Sequence, residues 1–422
     1  MEAVGARRPR IAQICGAVDG AKWMVQLSHG LRARGYDVVA VIGGENGSTA
    51  ELLERSGLRF VAMPQNLGSS SRLLGLLGRV PFLGRRLVLL GHAAATLRRA
   101  VAIATFLRRE QIDIAHAQIF NSIVVGRVAA FLARVPIRLS MVPGPYHLES
   151  PLLRRIDLAT ERLDTLVIGG SQRVTDLYLE AGLERSRVRT IPYGCSAEEF
   201  DPATVDGRGF RAELGIGETT PLVGQVAYFY QVVREPIAPP SVSGRGAKGH
   251  EDFLAAASIV VRSRPDARFV LVGGGWGPEG EKHMRDMQRL CRELALDEQV
   301  TFTGPRSDVP EVLAALDVSV QCSLNENYGG TIESLLMERP TVATRVGGMP
   351  ETVRHEETGL LVPPRDPPAL ARAMLRLIDC PELGRALGRR GRELMLERFT
   401  VETMTNGVAD LYAELLSARR QR

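Results

Sequence analysis

The sequence predicts an α/β protein with two Rossmann-like, doubly wound domains that face each other across a cleft. Three observations carry this expectation. Short β-type runs alternate with helical runs in the first half, the rhythm of βαβ units, and a second series of the same kind starts afresh after residue 209. At 422 residues the chain exceeds what one ordinary core fills. Turn residues cluster between the two series, in EEFDPATVDGRG (198–209), where a domain junction is expected.

Taken in order, the first series reads IAQIC (11–15), a helix from Trp23 to Arg34, DVVAVI (37–42), IDIAHA (112–117), a helix near 121–134, IRLSMV (137–142), TLVIGG (165–170) and VRTIPYG (188–194). The second reads PLVGQVAYF (221–229), RFVLVGG (268–274), QVTFTG (299–304), DVSVQCS (317–323), PTVAT (340–344) and GLLVP (359–363), each separated by helical sequence. The expected units are an N-terminal domain over 1–200, a C-terminal domain over 201–395, and a terminal helix over 396–422 packing back on the first domain. Ligands of such sheets sit beyond the carboxyl ends of the strands, which places the site in the cleft. YQVVREPIAPPSVSGRGAKG, rich in Pro, Gly and Ser, breaks the rhythm and is expected to be a mobile loop bordering that cleft.

Composition excludes several classes. With 45% hydrophobic and 24% charged residues the chain is globular. Its longest apolar stretch, 87–107, is broken by Arg98 and Arg99, so no spanning helix is expected. IAQIC is too brief for a secretory apolar region, and five cysteines without paired spacing fit a reduced, cytoplasmic setting. The basic residues are 50 arginines and only three lysines, Lys22, Lys248 and Lys282, a bias that coding preference explains but that singles out each lysine. From Arg55 to Arg109 there are ten arginines and no acid, so in a chain of net charge +5 the remainder is left near −5. Residues 72–109 read either as a surface lying on anionic lipid, which makes the protein peripheral to a membrane, or as a helical hairpin with a solvated basic face. A single aromatic in its RLLGLLGRVPFLGRRLVLLG core, and no nucleic-acid-binding module, argue against nucleic acid.

NENYGGTIE (325–333) places Glu326 and Glu333 around Gly329 and Gly330, just ahead of a helix expected over Thr331 to Arg339. Glycines let backbone approach a ligand closely and the helix dipole favours an anion, so a diphosphate suits the site. A first-turn glutamate alone has a plainer reading, since an acid there stabilises a helix by about 0.3–1 kcal/mol. GGGWGPEG (273–280) lacks the G-x-G-x-x-G spacing and an acidic partner, which argues against a dinucleotide-dependent oxidoreductase.

The block SLNENYGGTIESLLMERPTVATRVGGMPETVRHEETGLLVPPRDP (323–367) resembles the donor-site signature of the retaining, GT-B-fold glycosyltransferases of group 1, family 4-like. VGQVAYF with KGHEDFLAAA, RFVLVGGGWGPEGE, VTFTG with RSDVPEVLAALDV, and IPYGCSAEEF accompany it in matching order over 190–367, while the N-terminal domain resembles the family through its strand pattern and the loop CGAVDGAKW. The resemblance implies that Glu326 accepts hydroxyls of a donor sugar and Glu333 both ribose hydroxyls. It implies also that the backbone of Asn327, Tyr328, Gly329, Gly330 and Thr331 meets sugar and diphosphate, and that Lys248 neutralises the diphosphate. Gln225 and Arg306 join the implied donor site, Gly20 and Ala21 the acceptor-side loop, and His147, with His116 as its competitor, the region of the reacting carbon.

Two departures stand out. The family separates its glutamates by one residue more than here, which makes Asn325 the alternative to Glu326. It also carries an arginine where this chain has Gln225, with Arg234 or Arg245 as substitutes. No metal or other cofactor is implied: cationic side chains stabilise the leaving diphosphate, and retention comes from front-face attack by the acceptor hydroxyl. The expected function is transfer of a sugar from a nucleotide-diphosphate sugar to an acceptor hydroxyl, in cell-envelope polysaccharide or glycolipid assembly or on a soluble small molecule such as a natural product. A nucleotide-sugar 2-epimerase and a non-catalytic sugar-nucleotide-binding paralogue are the alternatives.

Overall fold

In the computed structural model, which describes residues 7–63 and 82–421, the chain folds around two parallel sheets. The first contains β1 (Arg10–Cys15), β2 (Asp37–Ile42), β3 (Arg59–Ala62), β4 (Ile114–Gln118), β5 (Ile137–Val142), β6 (Leu166–Gly169) and β7 (Val188–Thr190), in the order β3-β2-β1-β4-β5-β6-β7. The second contains β8 (Leu222–Val226), β9 (Arg268–Val272), β10 (Val300–Gly304), β11 (Val318–Gln321), β12 (Thr341–Thr344) and β13 (Leu360–Val362), in the order β10-β9-β8-β11-β12-β13. Every ladder between named strands is parallel. Strands covered by helices on both faces read as continuous apolar runs, and β4, β6, β9 and β12 are buried almost throughout. In each sheet the connection reverses direction once, between β1 and β4 and between β8 and β11. Those switch points open the crevices where doubly wound sheets hold ligands.

Two polar networks inside the first domain determine what its histidines can do. Gln118 Nε2 donates to Gln13 Oε1 at 2.7 Å, Gln13 Nε2 donates to Tyr412 Oη at 3.2 Å, and His116 Nδ1 lies 2.7 Å from the same hydroxyl. Tyr412 belongs to the helix Val401–Arg420, whose Met404, Val408 and Leu411 pack on Ile11, Leu27, Leu31 and Ile114. Thr400 starts that helix with a capping box shared with Thr403. In the second network Arg127, on the helix Phe120–Leu132, donates from Nε to Asp164 at 2.7 Å and from Nη1 to Asp157 at 2.8 Å, and Tyr178 Oη donates to Asp157 at 2.6 Å. All four side chains are buried.

The segment between β8 and the helix His250–Ser263, expected to be a mobile loop, is a folded strap. Ala238 and Val242 bury themselves against Leu324, with Val233, Ala247 and Tyr146 packed around them. The Pro236 carbonyl accepts from Leu152 N at 3.1 Å and Ser150 Oγ at 3.2 Å, so the strap joins the second domain to the first. Alanine, valine and proline gave it enough apolar surface to cover. The helix Phe82–Arg109 sends Ala100, Ile103, Ala104 and Leu107 into the first core, and among the described residues no helix is long and apolar enough to cross a membrane. The part of the lipid-facing expectation that falls on 72–81 lies outside the described residues.

Arg127 is the cation that compensates two buried carboxylates. Arg127→Ala is expected to cost about 3–5 kcal/mol, because it strands Asp157 and Asp164 uncompensated, and the midpoint of urea unfolding measures it.

Candidate active site

The site forms where loops leave the carboxyl ends of β8 and β11. Gly249 has φ +70°, and a Cβ there would lie 2.1 Å from the Cys322 carbonyl oxygen, so only glycine lets this turn rest on the end of β11. The Lys248 carbonyl accepts from Gln225 Nε2 at 2.8 Å. Fixed in this way, Lys248 directs its ammonium to Glu326 Oε2 in a direct ion pair, with only 19% and 17% of the two side chains exposed. Burial works against the lysine's charge, yet the Glu326 carboxylate outweighs it and the ammonium's pKa is raised. Gly347, φ +52°, abuts the Glu326 carbonyl from the other side, where any Cβ would overlap it.

Glu333 stands in the first turn of the helix Thr331–Leu336. Burial lifts its pKa from the ordinary 4.5 to about 7, with the carboxylates of Glu199 and Glu326 adding to the rise. Its Oε2 is buried without a hydrogen-bond partner, as is Gln321 Nε2 of the neighbouring strand end. Buried polar atoms without partners are rare in folded proteins, and a carboxyl oxygen of this kind suits a ligand hydroxyl. The helix is shorter than expected: it ends at Leu336, and Glu338 adopts φ +56°. Six residues make a weak dipole, which leaves Lys248 as the principal positive charge here.

The loop between the two glutamates is held by the first domain. Asn325 Nδ2 donates to Glu149 Oε2 at 2.6 Å and Asn327 Nδ2 to the Gly170 carbonyl at 3.2 Å. Tyr328 Oη donates to Glu351 Oε2 at 3.1 Å, and Glu351 accepts from Gln172 N at 3.0 Å and Arg173 N at 3.4 Å, the first amides of the helix Gln172–Glu180. Asn325 is therefore engaged across the domains, and Glu326 is the residue beside Lys248. The loop amides are partly spent within the protein: Asn327 N donates to Glu326 Oε1 at 3.0 Å, Gly330 N to Gln321 Oε1 at 3.3 Å, and Thr331 N to the Tyr328 carbonyl at 3.2 Å. Gly329, φ +54°, makes the bend.

On the opposite side, Gly20 N donates to Ser48 Oγ at 3.1 Å and Ala21 N to Thr49 Oγ1 at 3.4 Å, and a Cβ at Gly20 would lie 3.9 Å from the Trp276 ring. Lys22 pairs with Glu199 at the junction between the domains.

Five expected residues are not brought to this site. Gln225 is fully buried within β8, where its amide holds the Lys248 loop, and the strand's end emerges instead at Tyr228. His147 is 4% exposed, stacks on Phe120 with ring centroids 4.7 Å apart, and has Nε2 3.6 Å from Asp157; its place is the buried Arg127 network. His116 is buried in the sheet, and burial lowers its pKa to about 3. Arg306 is held between Glu213, at 2.7 Å, and Asp308, at 2.7 Å, with its guanidinium over Phe210. Arg245 pairs with Asp252 at 2.6 Å. Sequence reasoning missed Glu149 and Glu351, which nothing local distinguishes from surface acids, and Tyr228, Tyr230 and Trp276, which YFY and GGGW signalled.

Comparisons with known proteins agree with this architecture. A model described as "Glycosyl transferases group 1" matches residues 242–380, and one described as "Glycosyl transferase 4-like domain" matches 21–194. The D-inositol 3-phosphate glycosyltransferase of Acidothermus cellulolyticus is 30% identical over 328 residues, 73% of this chain and 68% of that protein. The enzyme of the same name from Saccharomonospora viridis is 32% identical over 263 residues, 61% of this chain but only 57% of its own length. The N-acetyl-alpha-D-glucosaminyl L-malate synthase of Bacillus anthracis is 28% identical over 207 residues, 49% of each chain. Among solved structures, Anabaena HepE in complex with UDP and glucose superposes with a TM-score of 0.75 at 20% identity, covering 96% of this chain and 99% of that one. The sucrose-phosphate synthase of Thermosynechococcus elongatus gives 0.75 at 22%, covering 97% and 100%. The fold is GT-B. The chain belongs to the group 1, family 4-like glycosyltransferases.

Glu333 binds its proton more tightly folded than unfolded. Between about pH 4.5 and about 7 the native state therefore holds the extra proton, and its contribution to stability is lost as pH rises through that window. In Glu333→Gln this part of the stability–pH profile is expected to flatten, as denaturant midpoints taken across the window will report.

Proposed function

We propose that this protein transfers a sugar from a nucleoside-diphosphate sugar to an acceptor hydroxyl, with retention of anomeric configuration. The observation that carries the reading is the Lys248–Glu326 ion pair beside the unpartnered carboxyl of Glu333, at the switch-point crevice of the second sheet. In the ligand-free protein each member of the pair satisfies the other. An arriving diphosphate competes for the ammonium with more negative charge than one carboxylate offers, and so releases Glu326 to accept hydroxyls of the sugar. Glu333 offers one carboxylate to the vicinal diol of a ribose. As the bond from anomeric carbon to phosphate breaks, positive charge develops on the sugar and negative charge on the diphosphate. Lys248 meets the second from a fixed position that needs no reorganisation, and Glu326 stays beside the first.

No carboxylate nucleophile is required. The acceptor oxygen attacks from the face the phosphate leaves, and the departing phosphate takes its proton. With Gln225, His147 and Arg306 engaged elsewhere, the burden of the chemistry falls on Lys248, Glu326 and the substrate's own phosphate. The acceptor docks against the first domain, near Gly20 and Ala21. A small soluble acceptor is the reading favoured by relatives named for inositol 3-phosphate and for malate. Assembly of a cell-envelope glycan at a membrane surface is the second, and it rests on the arginine-rich stretch within 72–109.

A panel of nucleoside diphosphates tests the donor site by thermal shift. A ligand at one hundred times its Kd stabilises the protein by about 2.7 kcal/mol, and Glu333→Ala and Lys248→Ala are each expected to abolish that shift at the same concentration. Undiminished shifts in both variants would overturn the assignment. Because hydrogen bonds from a diol favour the ionised carboxyl, nucleotide affinity is expected to rise with pH through about 7 in the wild type and to lose that rise in Glu333→Gln.

A further inference from the structure

Among the described residues the exposed aromatic side chains are Phe131, Tyr228, Tyr230 and Trp276, and the last three touch one another. Tyr228 and Trp276 meet edge to face with ring centroids 5.2 Å apart, Tyr230 and Trp276 lie 6.0 Å apart, and the two tyrosines 6.4 Å apart. The backbone explains the grouping. YFY continues extended from β8, so alternate side chains face opposite ways. Phe229 turns inward, fully buried and stacked on His250 at 3.9 Å, while both tyrosines turn outward. The GGGW turn after β9 is tied alongside: Phe229 N donates to the Gly274 carbonyl at 3.0 Å and Trp276 N to the Phe229 carbonyl at 2.9 Å. The three rings are thus held as one surface at 36–45% exposure, although clustered aromatic area in water is costly.

Its position indicates what it meets. Lys248 Nζ lies 5.7 Å from the centre of the Tyr230 ring, and the same ammonium is paired with Glu326. The rings therefore border the end of the site given above to the transferred sugar. Trp276 approaches Gly20 of the first domain, so the rings lie where the two domains face each other.

We propose that Tyr228, Tyr230 and Trp276 form a stacking platform for a ring of the acceptor, which is accordingly a glycoside or other cyclic molecule presenting one apolar face. This rests on the reading of Lys248 and Glu326 as the transfer site. The C–H face of a pyranose, or an aromatic aglycone, covers the rings while its hydroxyls stay in water, and stacking sets which hydroxyl points at the anomeric carbon.

The chain has two tryptophans, so Trp23→Phe leaves Trp276 as a reporter on the platform itself. In that background phenyl β-D-glucopyranoside is expected to change tryptophan emission saturably, methyl β-D-glucopyranoside to do so more weakly, and sorbitol, which has hydroxyls but no ring, to have no effect. Adding Tyr228→Ala should raise the Kd for the phenyl glucoside about fivefold to tenfold, the scale of one lost aromatic contact. A response to UDP or GDP but to neither glucoside would assign the rings to the donor's base and overturn the proposal, as would no response to any probe. Loss of nucleoside-diphosphate thermal shifts with the glucoside response intact would instead sink the donor-site reading.

Discussion

Everything in the cleft depends on a loop of four residues held from both domains. Asn325, Asn327 and Tyr328 reach Glu149, Gly170 and, through Glu351, the helix at Gln172, while Glu326 between them faces Lys248. Two families of constraint therefore meet within one short segment. The second domain fixes what the loop presents to a donor, and the first domain fixes where the loop sits. A movement of one domain against the other cannot leave the position of Glu326 unchanged. The Glu351 contact is well chosen physically, because a carboxylate at a helix N-terminus accepts from amides that have no partner inside the helix.

The balance of charge follows from the same geometry. Close to Glu333 lie the carboxylates of Glu199 and Glu326, and with them two of the chain's three lysines, Lys22 and Lys248. Each lysine pairs with one glutamate and Glu333 is left over, buried and short of a partner. Burial raises its pKa most, and the neighbouring carboxylates of Glu199 and Glu326 add to the rise. On the proposed reading, a ligand bringing two hydroxyls and a diphosphate would repair both defects at once, giving Glu333 its donors and Lys248 a stronger anion.

Much of this was legible in the sequence, and the limits have physical causes. Both sheets could be read because buried parallel strands are written as continuous apolar runs, which local pattern reveals. Glu326 and Glu333 stand out as acids around a Gly-Gly loop, and Lys248 is singled out by the family resemblance in a chain that otherwise writes arginine; the structure brings Lys248 and Glu326 together. His147 and Gln225 misled because a polar residue near a strand end looks the same whether its side chain turns to the cleft or to the core. Only the partners Asp157 and the Lys248 carbonyl decide, and they are distant in sequence. Glu149 and Glu351 were invisible for the same reason. The strap after β8 was misjudged because proline and glycine suggest irregular backbone, and irregular backbone can still be packed.

The order of Asn325 and Glu326 at the start of the loop has an electrostatic cause. The two residues are adjacent, and it is Glu326 that the loop places against Lys248. Asn325 is drawn off by Glu149, an acid that an asparagine amide can satisfy as donor and that a second glutamate could not approach without repulsion. The neutral residue thus bridges the domains, and the charged one stays in the cleft. Exchanging the two would set Glu against Glu149 and leave Lys248 facing a neutral amide, so the order Asn-Glu is fixed by electrostatics on both sides of the loop.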